Sequence, residues 1–224
     1  MVGFLYYSCG GQRSTLSDGL SPAMSEPRIG RVMVASLHQA IAEVLPDRLE
    51  FYENWLNPNG LREGRIGLAP LSAVLSFLRG EGDEAYAAVS DRAGRYAAEW
   101  SIVGDLPVIE RRMIALLPRP LRARAALRAA STVIRKTYPG SRAIVKTRRR
   151  KASIDLRGSL FCEVREAVPA PLCGFYAAIV AWVLEYFGVP ADVVVMECRA
   201  SGPRRGCAFA VNLEATATEM PVNA

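Results

Sequence analysis

The chain has 224 residues, half of them hydrophobic and 22% charged, with a formal net charge of +6. That composition excludes a disordered chain, because the apolar half suffices for a core, and the length suits one domain or at most two small ones. The charge is unevenly placed: Arg111 to Lys151 holds fourteen Lys and Arg and no Asp or Glu, so the remainder carries 14 bases against 22 acids, a balance of −8.

Residues 1–27 are rich in Gly, Ser and Pro and read as a flexible extension, with Met24 an alternative start. Ile29, Val32, Met33, Leu37, Ala40, Ile41 and Val44 then follow helical spacing, and Pro46 ends the run. Asp47 is placed to cap a short helix through Trp55, and Asn57-Pro58-Asn59-Gly60 is a turn. Pro70 suits the first turn of a helix carrying Leu71, Val74, Leu75 and Leu78. Further helices are expected at 84–100, 107–117 and 119–137, the last closed by Pro139-Gly140. The period then changes. Strands are expected at 142–148 and 151–157 around a basic turn at Arg149-Arg150, with Ile154 and Leu156 alternating with Asp155 and Arg157. A nearly all-apolar helix follows at 172–187, then strands at 192–199 and 206–213, and a flexible tail at 214–224. The expected fold is α+β: a helical N-terminal half, then an antiparallel four-stranded sheet with helices on one face, residues 28–213 forming one domain.

Five cysteines are too few and too unevenly spaced for a disulfide scaffold, and an odd number leaves one unpaired, so a reducing, cytoplasmic setting is expected. No secretory signal is read in the first residues. The longest uncharged run, Ala167–Leu184, is broken by Pro169 and Pro171, which makes it a core helix rather than a membrane span.

Chemistry-bearing motifs are sparse. The single histidine, His38, has no nucleophile beside it and reads as a satisfied or solvated side chain. No Gly-rich phosphate loop follows a strand, so no source of hydride is visible and an enzymatic role is not favoured. The basic middle carries no nucleic-acid-binding motif, so nucleic acid is not an expected partner. A solvated face accounts for the bases at 111–136. The compact group Arg148-Arg149-Arg150-Lys151 would suit an anionic ligand or a membrane surface. Aromatics concentrate around the helix at 172–187, and Ala177, Ala178 and Ala181 are expected to leave room beside it. A pocket lined by Tyr96, Trp100, Phe161, Phe175 and Tyr176 would accept a flat hydrophobic ligand. Two antiparallel strands turning near Gly202-Pro203 bring Cys198 and Cys207 together; Cys173, at the start of the packed helix, can approach both, and Cys162 is available as a fourth. Packing as small buried hydrophobes is the plain alternative for these cysteines.

Cys162, the segment Pro171-Leu172-Cys173-Gly174-Phe175-Tyr176-Ala177-Ala178, Gly188, Glu197-Cys198-Arg199-Ala200, Gly202 and Cys207-Ala208-Phe209 together resemble the 4-vinyl reductase (4VR) domain family. Leu172–Ala178 and Arg28-Ile29-Gly30 look closest to its bacteriochlorophyll 4-vinyl reductase branch. The resemblance implies a fold shared with small subunits of vesicle-tethering complexes, a buried hydrophobic pocket, and zinc held by Cys173, Cys198 and Cys207. The family's glutamate ligand is missing, since Val195 stands in its place, and the spacing from Cys198 to Cys207 is one residue longer than expected. The implied function is binding of a hydrophobic small molecule such as a tetrapyrrole precursor. Catalytic or accessory work in bacteriochlorophyll synthesis, and a homodimerising interaction module, are the alternatives.

Overall fold

The computed structural model describes residues 29–56, 67–148, 150–164, 167–202 and 205–213. The expected extension at 1–27, the turn at 57–60, Arg149 and the tail at 214–224 lie outside them.

Helix α1, Arg31–Val44, buries Met33, Val34, Leu37, Ala40 and Ile41, the stripe its spacing prescribes. Pro46 opens a 3-10 turn, Pro46–Arg48, that leads into α2, Leu49–Leu56. In α3, Leu68–Gly80, the buried residues are Leu71, Val74, Leu75 and Leu78. Helix α4, Asp83–Glu99, runs on into a π-helical turn, Trp100–Asp105. Two arginine-rich helices follow, α5, Val108–Leu116, and α6, Arg119–Thr137.

Strands β1, Arg142–Arg148, and β2, Lys151–Arg157, form a hairpin with the expected bounds. A 3-10 turn, Leu160–Cys162, precedes α7, Gly174–Tyr186. The sheet is completed by β3, Asp192–Glu197, and β4, Cys207–Asn212, in the order β1-β2-β4-β3 with every pairing antiparallel. Strand β3 stops at Glu197 instead of Arg199, because a third short 3-10 turn, Arg199–Ser201, takes over.

Alternation sets the faces of the sheet. Ala152, Ile154 and Leu156 of β2 and Cys207, Phe209 and Val211 of β4 are buried toward the helices. Helix α7 lies at the centre, against α4, α6 and β3. Its contact with α4 depends on Gly94: a Cβ there would stand 2.3 Å from the Phe175 carbonyl oxygen and 2.8 Å from the Ala178 Cβ. Of the alanines expected to leave room for a ligand, Ala178 therefore acts otherwise. Ala178 meets Gly94 between Ala93 and Ala97, and the small side chains draw two helices together, which closes the space between them.

Candidate metal centre

Four cysteines from four separate segments meet beneath the β3–β4 end of the sheet. Cys162 ends the 3-10 turn after β2, Cys173 is the residue before α7, Cys198 follows β3, and Cys207 opens β4. All four are buried with free thiols, and their sulfurs lie within 4.8 Å of one another. The Sγ of Cys162 is 3.4 Å from that of Cys198 and 3.5 Å from that of Cys207, far beyond a disulfide bond. A tetrahedron of sulfurs on metal–sulfur bonds of about 2.3 Å has edges of about 3.8 Å. The sulfurs of this cluster need only small adjustments to reach it.

Each cysteine is aimed by its surroundings. Between Val195 and Glu197 the β3–β4 register shifts: Val195 pairs with Phe209, and Glu197 with Ala208. Met196 is thus the extra residue of a bulge, and the continued register sets Cys198 opposite Cys207 on the inward face. The bulge absorbs the additional residue noted in the spacing. It also leaves Glu197 opposite Ala208 and out of the cluster. Val195 faces inward beside Phe209 and brings no donor atom.

Cys162 is positioned through the hydroxyl of Tyr176, which accepts from the Leu160 backbone N–H at 3.4 Å and shares a hydrogen with Ser141 Oγ at 3.2 Å. Ser141 in turn donates to the Gly158 carbonyl at 2.8 Å. Gly158 has φ of +67°, and a Cβ there would lie 2.0 Å from the Gly140 carbonyl oxygen, so only glycine fits this exit from β2. Cys173 is held through its neighbour: Tyr86 of α4 donates to the Leu172 carbonyl at 3.0 Å.

Two of the sulfurs receive backbone hydrogen bonds. The N–H of Leu172 points at Cys198 Sγ, 3.4 Å away, and that of Arg199 at Cys207 Sγ, 3.5 Å away. Through contacts with the Cys162 and Cys173 sulfurs, both Cys198 and Cys207 are held below the ordinary thiol value. Cys173 is pushed above it by the neighbouring sulfurs of Cys162, Cys198 and Cys207, with burial adding to the effect. A closed set of four sulfurs, all buried, leaves no open coordination position for a substrate.

The aromatic residues expected to line a ligand site fall into two groups. Phe161, Phe175 and Tyr176 are fully buried and packed on one another, the two phenylalanine rings stacked at 4.6 Å. Tyr96 and Trp100 stack at 5.3 Å on the outer side of α4, and Tyr96 donates to Glu43 of α1. A cleft of about 320 Å³ lies elsewhere, where the π-helical turn, α5 and α6 meet; Ser101, Ile102, Leu106, Ile114 and Val133 form its interior, with Glu110, Arg128 and Lys136 around it. The Ser101 hydroxyl is buried there without a hydrogen-bond partner. Neither Cys162 as an equal member nor this cleft carries a local sequence signal, since each depends on segments far apart in the chain.

No family model matches the chain, and no curated protein matches it. The fold does resemble solved H-NOX structures. A point mutant of the Fe(II) unliganded H-NOX protein from K. algicida aligns with a TM-score of 0.53 and 12% identity over 82% of this chain and 96% of that one. The Fe(II) unliganded H-NOX protein from K. algicida itself gives 0.50 and 12% over 86% and 100%. A structure from work on heme distortion in the H-NOX family gives 0.43 and 10% over 87% and 100%.

At such identities the likeness concerns the fold alone. It nevertheless corrects two expectations. The 4VR assignment is overturned, because the neighbours are H-NOX proteins, and the link to bacteriochlorophyll goes with it. Zinc, which that resemblance implied, loses its support, since these neighbours are described with Fe(II). A short cysteine-centred motif had carried the assignment, and thiol spacing is too generic to identify a family by itself.

The residues of this chain do not fit a histidine-ligated heme. A heme iron needs an axial donor inside an apolar cavity. His38, the single histidine, instead lies on α1 with Nε2 2.8 Å from Glu53 Oε1 of α2, partly exposed. The interior between helices and sheet is occupied by Phe161, Phe175, Tyr176 and Phe209.

Proposed function

We propose that the chain is a non-catalytic binding domain whose C-terminal half is locked by a single metal ion on Cys162, Cys173, Cys198 and Cys207. The observation that carries this is the convergence of four buried sulfurs from four segments. Four thiolates at tetrahedral spacing select a thiolate-seeking first-row transition ion. With all four positions filled by protein the ion is structural: it ties the turn after β2, the start of α7 and the ends of β3 and β4 into one unit. Element-resolved metal analysis of protein purified without chelator tests this. About one equivalent of one metal is expected, falling away in Cys173→Ser and in Cys162→Ser. Four titratable thiols and no metal in freshly prepared protein would sink the idea.

Ligand binding belongs to the cleft beside the π-helical turn. The unpartnered Ser101 hydroxyl favours it, because a buried polar group with no partner is costly unless something meets it. The apolar interior with Arg128 and Lys136 at its edge suits a small amphiphile with an anionic head. A ligand at Phe161, Phe175 and Tyr176 would first have to open the packed core. The expected outcome is a thermal shift with laurate that Ser101→Ala and Arg128→Ala reduce. An equal shift in both variants would remove the cleft from consideration.

A further inference from the structure

Helix α5 is turned the wrong way round for a helix that only packs. At 3.6 residues per turn, Ile109, Met113 and Leu116 share one side, with Val108 and Arg112 beside them. These four apolar side chains are 75%, 64%, 84% and 53% exposed in that order, while Ile114 on the opposite side is the one buried residue of the helix. Its single acid, Glu110, lies by the cleft instead of on the outward side. Surface apolar residues normally occur singly, and a stripe of them marks a contact site. The patch continues past the helix: Val103 before it and Leu121 after it are each 48% exposed.

The charge around this stripe is mainly basic, with the exposed acids Asp105 and Glu110 at its N-terminal end. Arg112 is exposed within it, and Arg124 and Arg128 are exposed on α6. No Asp or Glu occurs between Arg111 and Lys151. Tyr186 of α7, itself exposed, meets the flank of the helix through its hydroxyl, which accepts from Arg111 at 3.1 Å. An apolar stripe bordered by arginine and an aromatic ring is the pattern of a helix that lies in the plane of a membrane interface.

We propose that α5 seats the protein on an anionic bilayer, with Ile109, Met113 and Leu116 entering the headgroup boundary and Arg112 and Arg124 contacting lipid phosphates. Charge selects this occupant. Two copies meeting through this face about a two-fold axis would bring the same patch against itself and gather the arginines of both copies in one interface. An anionic bilayer accepts the apolar stripe and the arginines together, each base near the surface raising partition about fivefold. No helix among the described residues is long and apolar enough to cross a membrane, so the contact is peripheral.

Co-sedimentation of the full chain with vesicles tests the proposal, using phosphatidylcholine alone and phosphatidylcholine with one third phosphatidylglycerol. The wild type is expected to sediment with the anionic vesicles and to be released by high salt. Ile109→Glu/Met113→Glu should lower that binding by about tenfold or more, and Arg112→Gln/Arg124→Gln by on the order of tenfold. All four positions are exposed, so the variants should keep the wild-type melting temperature, which shows that they fold. The proposal is overturned if the wild type stays in the supernatant, or if Ile109→Glu/Met113→Glu binds as well as the wild type. A concentration-dependent dimer that the same pair of substitutions dissolves would also overturn it, in favour of a second copy.

Discussion

Gly94 and Tyr86 show how single side chains of α4 govern a site that α4 does not form. Gly94 permits the approach of α7, whose first turn carries the Cys173 segment. Gly94→Ala should therefore cost about 1–3 kcal/mol by overpacking, whereas Gly104→Ala, where an added Cβ meets nothing within 4 Å, should change little. Urea unfolding of the two variants makes the comparison. The Tyr86 hydroxyl satisfies the Leu172 carbonyl, one residue before Cys173. Tyr86→Phe should lose about 1–3 kcal/mol, because it leaves a buried acceptor unmet. It should also loosen the retention of metal without removing any sulfur, which a chelator competition would reveal. The glycine and tyrosine were legible as residue types on a helix. That they serve a cluster eighty residues later was not, because only packing brings α4 onto α7.

Helix bounds followed from periodicity wherever one face meets the core, as in α3, where the buried residues are those the spacing names, and in α1, where Met33, Leu37, Ala40 and Ile41 are buried as named and Val34 and Ser36 join them. Helix α5 departs from that logic, since its apolar residues point outward. Ile114→Ala should cost about 2–5 kcal/mol, but Ile109→Ala within about 0.5 kcal/mol of nothing, a contrast that thermal denaturation can read. A periodic pattern alone cannot say which way a helix faces, so a solvated basic face was the expectation for 111–136. The β3–β4 bulge is a second element whose effect exceeds its size. With Val195 facing inward and Met196 not bulged out, strict alternation would turn Cys198 to the outer face. Deleting Met196 should therefore restore an unbroken β3–β4 register with Cys198 still opposite Cys207 and metal still retained, which metal analysis of the variant would check.

For the whole molecule, the four sulfurs join parts of the chain that the sheet and helices leave loosely connected. The segment from Cys162 to Cys173 is tied elsewhere by Val168, whose N–H meets the Ala200 carbonyl at 2.9 Å. Stripping the metal should therefore lower the melting temperature by on the order of 10 °C, as the binding free energy of a structural ion is folding free energy. Calorimetry before and after a strong chelator would measure it; an unchanged transition would mean that the thiols only pack. The basic middle, prominent in the composition, divides in the structure. Arg119 and Arg122 bind the carbonyls of Leu213 and Leu117, and Lys136 meets Asp105 at 3.4 Å, while Arg112, Arg124 and Arg128 remain exposed.

By itself the sequence determined the α+β order, the periods of helices and strands, and the residues that build the core, because these depend on short-range spacing and on hydrophobic burial. It also marked Cys173, Cys198 and Cys207 as neighbours, since a hairpin and a helix start are local features. Only the tertiary structure decided that Cys162 completes the cluster, that Ala178 closes on Gly94 instead of leaving room for a ligand, and that α5 presents Ile109, Met113 and Leu116 to the outside. Each of these is a relation between segments distant in the chain, fixed by how the elements pack and not by what any one of them contains.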